Sequence, residues 1–184
     1  MMTESIRELL LVNSREGLNE EIIRLVGTNP TRFAELFLGL LTDDIKVQSR
    51  AAHAMEAISR LQPELLANYG ADLIKVAAST GSDNARWHIA AMLPRAELNP
   101  KERSRAVRLL ASFLEDESRL VRVNALQGLA ELSDDMPRLR PGVVVLLKKH
   151  LADPVPSVAA RARRLLRMIE AGGRIQPPKR GLED

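Results

Sequence analysis

The chain has 184 residues, of which 45% are apolar, only 3% are aromatic and none is cysteine. That is enough to build a core of Leu, Val, Ile and Ala, and it excludes a disulfide framework, a thiolate metal site and a cysteine nucleophile. The formal charge of +3 hides an asymmetry, because residues 1–85 carry eight Lys/Arg against twelve Asp/Glu and residues 86–184 carry nineteen against twelve. A charge gradient of this kind would steer an acidic partner to the C-terminal half.

The first apolar run, Leu9 to Val12, is too short for a signal peptide and far too short to span a bilayer. A cytoplasmic protein with no membrane association is therefore expected. Residues 3–12 and 17–27 read as a short helix pair, with Ile6, Leu9 and Leu10 on one face and Ile22, Ile23 and Val26 on the other. This pair lacks the phrase that recurs later, as expected of an N-terminal cap over residues 1–28.

From Asn29-Pro30-Thr31 onward the chain repeats itself. Phe33, Leu36, Phe37, Leu40 and Leu41 follow the spacing of an amphipathic helix, and a turn at Thr42-Asp43-Asp44 leads into a second helix from about Ile45 to Leu61. A second unit opens at Gln62-Pro63. Its turn ends at Asp83, before a helix that Pro94 is expected to shorten or kink. The third opens at Asn99-Pro100, with Glu102 close behind. The fourth opens near Met136-Pro137, with Pro141-Gly142 expected to delay its helix, and its last helix runs to about Glu170.

The second helices share an anchor with apolar residues four and eight positions on: Val47, Ala51, Met55; Ala85, Ile89, Leu93; Val121, Ala125, Leu129; Val158, Ala162, Leu166. The anchors are spaced 38, 36 and 37 residues apart. Two helices per unit at this period predict a stacked helical array, with repeats at about 29–61, 62–98, 99–135 and 136–170 in a single domain over residues 1–170. The remaining residues, 171–184, have no apolar periodicity and read as a mobile tail.

The phrase L-x-D-x-x-x-x-V-R-x-x-A-x-x-x-L, complete at Leu114, Asp116, Val121, Arg122, Ala125 and Leu129, resembles the HEAT-repeat family, including its PBS-lyase-type members. Elsewhere Gln48 and Ala159 stand in the arginine place and Thr80 in the aspartate place. The resemblance implies an all-α, right-handed superhelix of about five helix pairs. It implies structural pairing of the turn aspartate with the following arginine, Asp43 with Arg86 and Asp116 with Arg122. It also implies that the second helices line a concave face.

Against that register, positions 2, 6, 9 and 13 residues after each anchor point away from the core. They hold His53, Glu56, Trp87, Gln127, Arg164 and Arg167 among others. Trp and Arg are frequent binding anchors, so His53, Trp87, Gln127, Arg164 and Arg167 are the candidate partner-binding residues, with burial of Trp87 between helices the competing reading. The sequence contains no phosphate-cradling, dinucleotide or nucleophile-elbow motif. His53 and Glu56 lie one turn apart without an H-E-x-x-H pattern, His150 occupies a core-stripe position, and His88 reads as a solvated or capping residue. Asp43-Asp44 and Asp134-Asp135 read as turn carboxylates that cap helices.

No catalytic residue, metal or cofactor is expected. The function expected is a non-catalytic scaffold that binds a protein or peptide, with an acidic partner favoured by the basic end. Two other readings share the fold: a nucleic-acid binder akin to HEAT-like DNA glycosylases, and an accessory or lyase-like enzyme subunit. The di-iron hydroxylase pattern fails, since no histidine is followed by glutamate.

Overall fold

A computed structural model describes residues 5–11 and 18–176. Among the described residues there are ten α-helices and no strand, so the fold class is all-α. No helix among them is long and apolar enough to cross a membrane. The packing divides the chain into two compact units, Met1–Ala106 and Val107–Asp184.

Unit 1 holds α1 (Ile6–Leu11), α2 (Leu18–Thr28), α3 (Phe33–Leu40), α4 (Ile45–Leu61), α5 (Gly70–Ser79) and α6 (Asp83–Met92). The helix α4 is its centre, with α2, α3 and α6 packed around it. It starts where the side chain of Asp44 accepts the Lys46 and Val47 N–H groups at 2.8 and 3.3 Å, satisfying donors that the first turn leaves open. Val47, Ala51, Met55 and Ile58 follow the helical period and are buried. Ser82 caps α6 in the same way, through Ala85 N–H at 3.1 Å. That places the cap one residue before Asp83. Pro94 acts as expected: α6 stops at Met92 and Leu93–Arg95 form a tight 3-10 turn. Phe33 and Phe37 close on Tyr69, with ring centroids 5.5 and 4.6 Å apart.

The helix α7 (Pro100–Ser112) contains the division between the units. Asn99 and Glu102 form a capping box at its start: Asn99 Oδ1 accepts from Glu102 N–H at 3.0 Å, and Glu102 Oε2 accepts from Asn99 N–H at 2.9 Å.

Unit 2 is built on α8 (Arg119–Asp135), with α9 (Arg140–Lys149) and α10 (Pro156–Glu170) packed on it and on each other. Pro141 does not delay α9. The helix begins one residue earlier and takes the proline into its first turn, where no N–H is missed. Helix α10 ends in a left-handed Gly172 (φ 70°), whose N–H bonds to Ile169 O while Gly173 N–H bonds to Met168 O. This reversal sends the chain back along α8.

The turn-to-helix joints follow one geometry. In unit 1, Gln48 Nε2 donates to the carbonyl of Thr42 in its own turn at 2.6 Å, and Gln48 Oε1 accepts from Thr80 in the next turn at 2.7 Å. In unit 2, Arg122 donates to the Leu114 carbonyl in its own turn at 3.1 Å and to Asp153 in the next turn. The expected pairs of Asp43 with Arg86 and Asp116 with Arg122 are therefore corrected. The residue in the arginine place reaches forward by one turn, so Arg122 meets Asp153. Asp43 is exposed, and Arg86 donates to the Thr80 carbonyl at 3.2 Å.

Candidate functional site

Of the five candidate residues, His53, Trp87 and Gln127 are partly or wholly buried, and Arg164 and Arg167 are exposed. In unit 1, His53 is half-buried and Trp87 only 8% exposed. Trp87 Nε1 donates to Asn84 at 2.9 Å. Its ring stacks on His88 with centroids 3.4 Å apart, and His88 meets His53 edge-on at 5.0 Å. His88, expected to be solvated, is thus buried among rings. Of the two readings of Trp87, the packed one describes its environment.

Glu56, on the face expected to look outward, is also buried. Its carboxylate accepts from Arg60 at 2.7 Å and Arg95 at 3.0 Å, and Arg95 also donates to Ser59 Oγ at 3.0 Å. A buried carboxylate needs this much compensation, and Arg95, 39 residues away, supplies the part that Arg60 on the same helix does not. Among the described residues no three His, Cys, Asp or Glu groups converge as a metal site would require.

An open recess of about 460 Å³ lies in unit 1 between the turn at Leu41-Asp43 and the turn at Ser79-Gly81. The side chains of Leu41 and Ile45 on its rim are about half exposed. The Gln48–Thr80 bond lies in its wall. Its lining holds one carboxylate, the exposed Asp43, beside the hydroxyls of Thr42, Ser79 and Thr80.

In unit 2, Gln127 is buried and its amide is fully engaged. Its Oε1 accepts from Arg161 at 2.6 Å, and its Nε2 donates to Glu131 at 2.6 Å and to the main-chain carbonyl of Gln176 at 3.1 Å. The residues after Gly173 that are described are docked, which departs from the mobile tail expected there: Ile175 is 5% exposed and its N–H donates to Asp134 at 2.6 Å. Residues 177–184 lie outside the described residues. Asp134 and Asp135 are not turn caps. They sit at the end of α8 and hold Arg140 and Ile175 (Asp134) and Arg174 (Asp135).

Arg164 and Arg167 are exposed on α10, as the register requires, together with Arg163. His150 is buried as the core stripe predicts, with Nδ1 3.0 Å from Asp153. Burial works against the charged form of Asp153. The Val155 N–H, His150 and Arg122 outweigh it and hold the carboxyl below the ordinary aspartate range.

Comparison of the chain with protein-family models, curated proteins and solved structures gives no match.

Proposed function

We propose that the chain is a HEAT-like, right-handed helical solenoid with a non-catalytic role, binding a protein or peptide on the face formed by its second helices. The observation that supports this reading is the arginine row on α10. Arg163, Arg164 and Arg167 are exposed within two turns, and none forms an ion pair with another described residue. Arg60, Arg95, Arg122 and Arg140, by contrast, each hold a carboxylate. Guanidinium groups without a local counterion attract an acidic surface, and the attraction weakens with salt.

The same chemistry would accept phosphates. However, the only aromatic residue after residue 106 is Phe113, which is buried, so unit 2 offers no platform for stacking bases. A protein partner is the better fit. The test is to pass nuclease-treated native lysate over the immobilised chain and over Arg164→Glu/Arg167→Glu, followed by a salt gradient. A discrete protein held by the wild type, released by salt and lost in the variant with unchanged circular dichroism is the expected result. Equal retention by both forms, or a partner held from untreated lysate but not from the nuclease-treated one, overturns the reading.

A further inference from the structure

Helix α8 of unit 2 holds three of the chain's own residues by main-chain and side-chain bonds. After the left-handed Gly172, Arg174, Ile175 and Gln176 lie against α8. Every contact they make there is of a kind that a separate peptide could make. The Ile175 N–H donates to Asp134 Oδ2 at 2.6 Å, the Gln176 carbonyl accepts from Gln127 Nε2 at 3.1 Å, and Arg174 pairs with Asp135 at 3.2 Å. The Ile175 side chain is 5% exposed. Main-chain bonds on either side of one buried aliphatic anchor are how grooves hold extended ligands, with the anchor setting specificity.

The slot is built independently of its occupant. Asp134 is fixed by Arg140 at 2.6 Å. Gln127 is oriented by Arg161 and Glu131, so its Nε2 is aimed by groups that the segment does not provide. The occupant, in turn, is joined to α10 through Gly172-Gly173, a link of high backbone freedom. Pro177 follows Gln176 in the sequence and biases Gln176 towards extended backbone.

We propose that this α8 slot is a binding site for an extended peptide with a basic residue followed by a β-branched aliphatic one, and that Arg174–Gln176 is a resident competitor which such a peptide displaces. The inference rests on the reading of the chain as a binding module but concerns a different surface from the α10 arginine row. Its ligand has the opposite charge, because the slot presents Asp134 and Asp135.

The resident segment has a mass-action advantage. A tether this short gives an effective concentration on the order of 1 mM, so a free peptide of Kd about 0.1 mM would appear roughly tenfold weaker against the intact chain. The probe is a fluorescein-labelled peptide with the sequence of residues 173–180, followed by anisotropy. Ile175→Asp in the full chain vacates the slot, because a second carboxylate is costly at a buried position bonded to Asp134. The probe is expected to bind this variant about tenfold or more tightly than wild type. Adding Asp135→Lys to the variant should weaken binding several-fold, and a probe with aspartate in place of its isoleucine should not bind.

A second measurement covers the case in which Ile175→Asp disturbs folding. The chain has no cysteine, so Ile175→Cys carries a single thiol seated in the slot. Unlabelled peptide at about 1 mM, the effective concentration of the tether, should raise the rate of its maleimide labelling about fivefold by displacing the segment. Equal probe binding by wild type and Ile175→Asp, or no binding to either together with a labelling rate that peptide does not change, overturns the proposal. Neither result depends on Arg164 or Arg167, so failure here leaves the α10 reading standing, and the reverse also holds.

Discussion

The outward register positions of the two units have different fates. In unit 1 none is fully exposed: Glu56 lies under Arg95, Trp87 is stacked against His88, and His53 is half-buried. In unit 2, Gln127 is covered by the returning chain, whereas Arg164 and Arg167 on the last helix remain in water. An outward position on a helix is therefore only an opportunity. Whether it becomes a surface depends on what later part of the chain folds back over it, and α10 is the second helix left open.

The joints differ between the units as well, in chemistry rather than geometry. Gln48–Thr80 is neutral, and Arg122–Asp153 is charged and reinforced by His150. A neutral joint leaves no charge to compensate, so its loss costs about one ordinary hydrogen bond, while the charged joint becomes expensive when one member is removed.

Substitutions can break or sharpen this contrast. The largest expected effect is at Trp87→Ala, where deleting a buried indole should cost about 3–5 kcal/mol in urea unfolding. If the loss were under about 1 kcal/mol, Trp87 would not be a packed residue. Asp153→Ala should follow at about 3 kcal/mol, because Arg122 and His150 are left facing an empty acceptor. The folded-state pKa of Asp153 is depressed, so its carboxylate contributes fully above about pH 4, the ordinary value for the unfolded chain, and the contribution is lost as pH falls through the lower folded value. The stability gap between wild type and Asp153→Asn, measured by thermal melts across pH 2–7, should therefore close only at the acid end. A gap independent of pH would exclude this account.

Gly172→Val forces a β-branched residue to φ 70° and should cost about 1–2 kcal/mol. Faster exchange of the Ile175 amide would accompany it, since the reversal that docks the segment is strained. Gln48→Ala should cost about 1 kcal/mol with little pH dependence in the acid range, the neutral counterpart of the Asp153 result. Smallest of all, Arg164→Glu/Arg167→Glu should change stability by no more than about 0.5 kcal/mol, because both side chains are exposed and neither pairs with another described residue.

Much of the scaffold was legible in the sequence. The bounds of α4, the end of α10, the Asp44 cap and the burial of His150 all follow from local rules, namely apolar period, capping chemistry and proline. The faces were less legible. Burial of Glu56 requires Arg95, and burial of Gln127 requires Gln176 and Arg161, partners that lie 39, 49 and 34 residues away. No periodicity within a helix encodes such partners. Ile175 left one trace, as an aliphatic residue in a stretch without apolar period, but the groups that dock its segment are Asp134 and Gln127, 41 and 49 residues from their partners. The joint register was misread for a related reason: the aspartate nearest in sequence to Arg122 is Asp116, and the one reached in space belongs to the following turn.

The central claim is that recognition belongs to the open arginine row of α10 and not to the lone tryptophan. It is tested most directly by one pull-down comparing wild type, Trp87→Phe and Arg164→Glu/Arg167→Glu on the same nuclease-treated lysate. The account predicts that Trp87→Phe keeps the wild-type partner and that the charge reversal loses it. Loss of the partner by Trp87→Phe at unchanged helicity, with retention by the charge reversal, would contradict it.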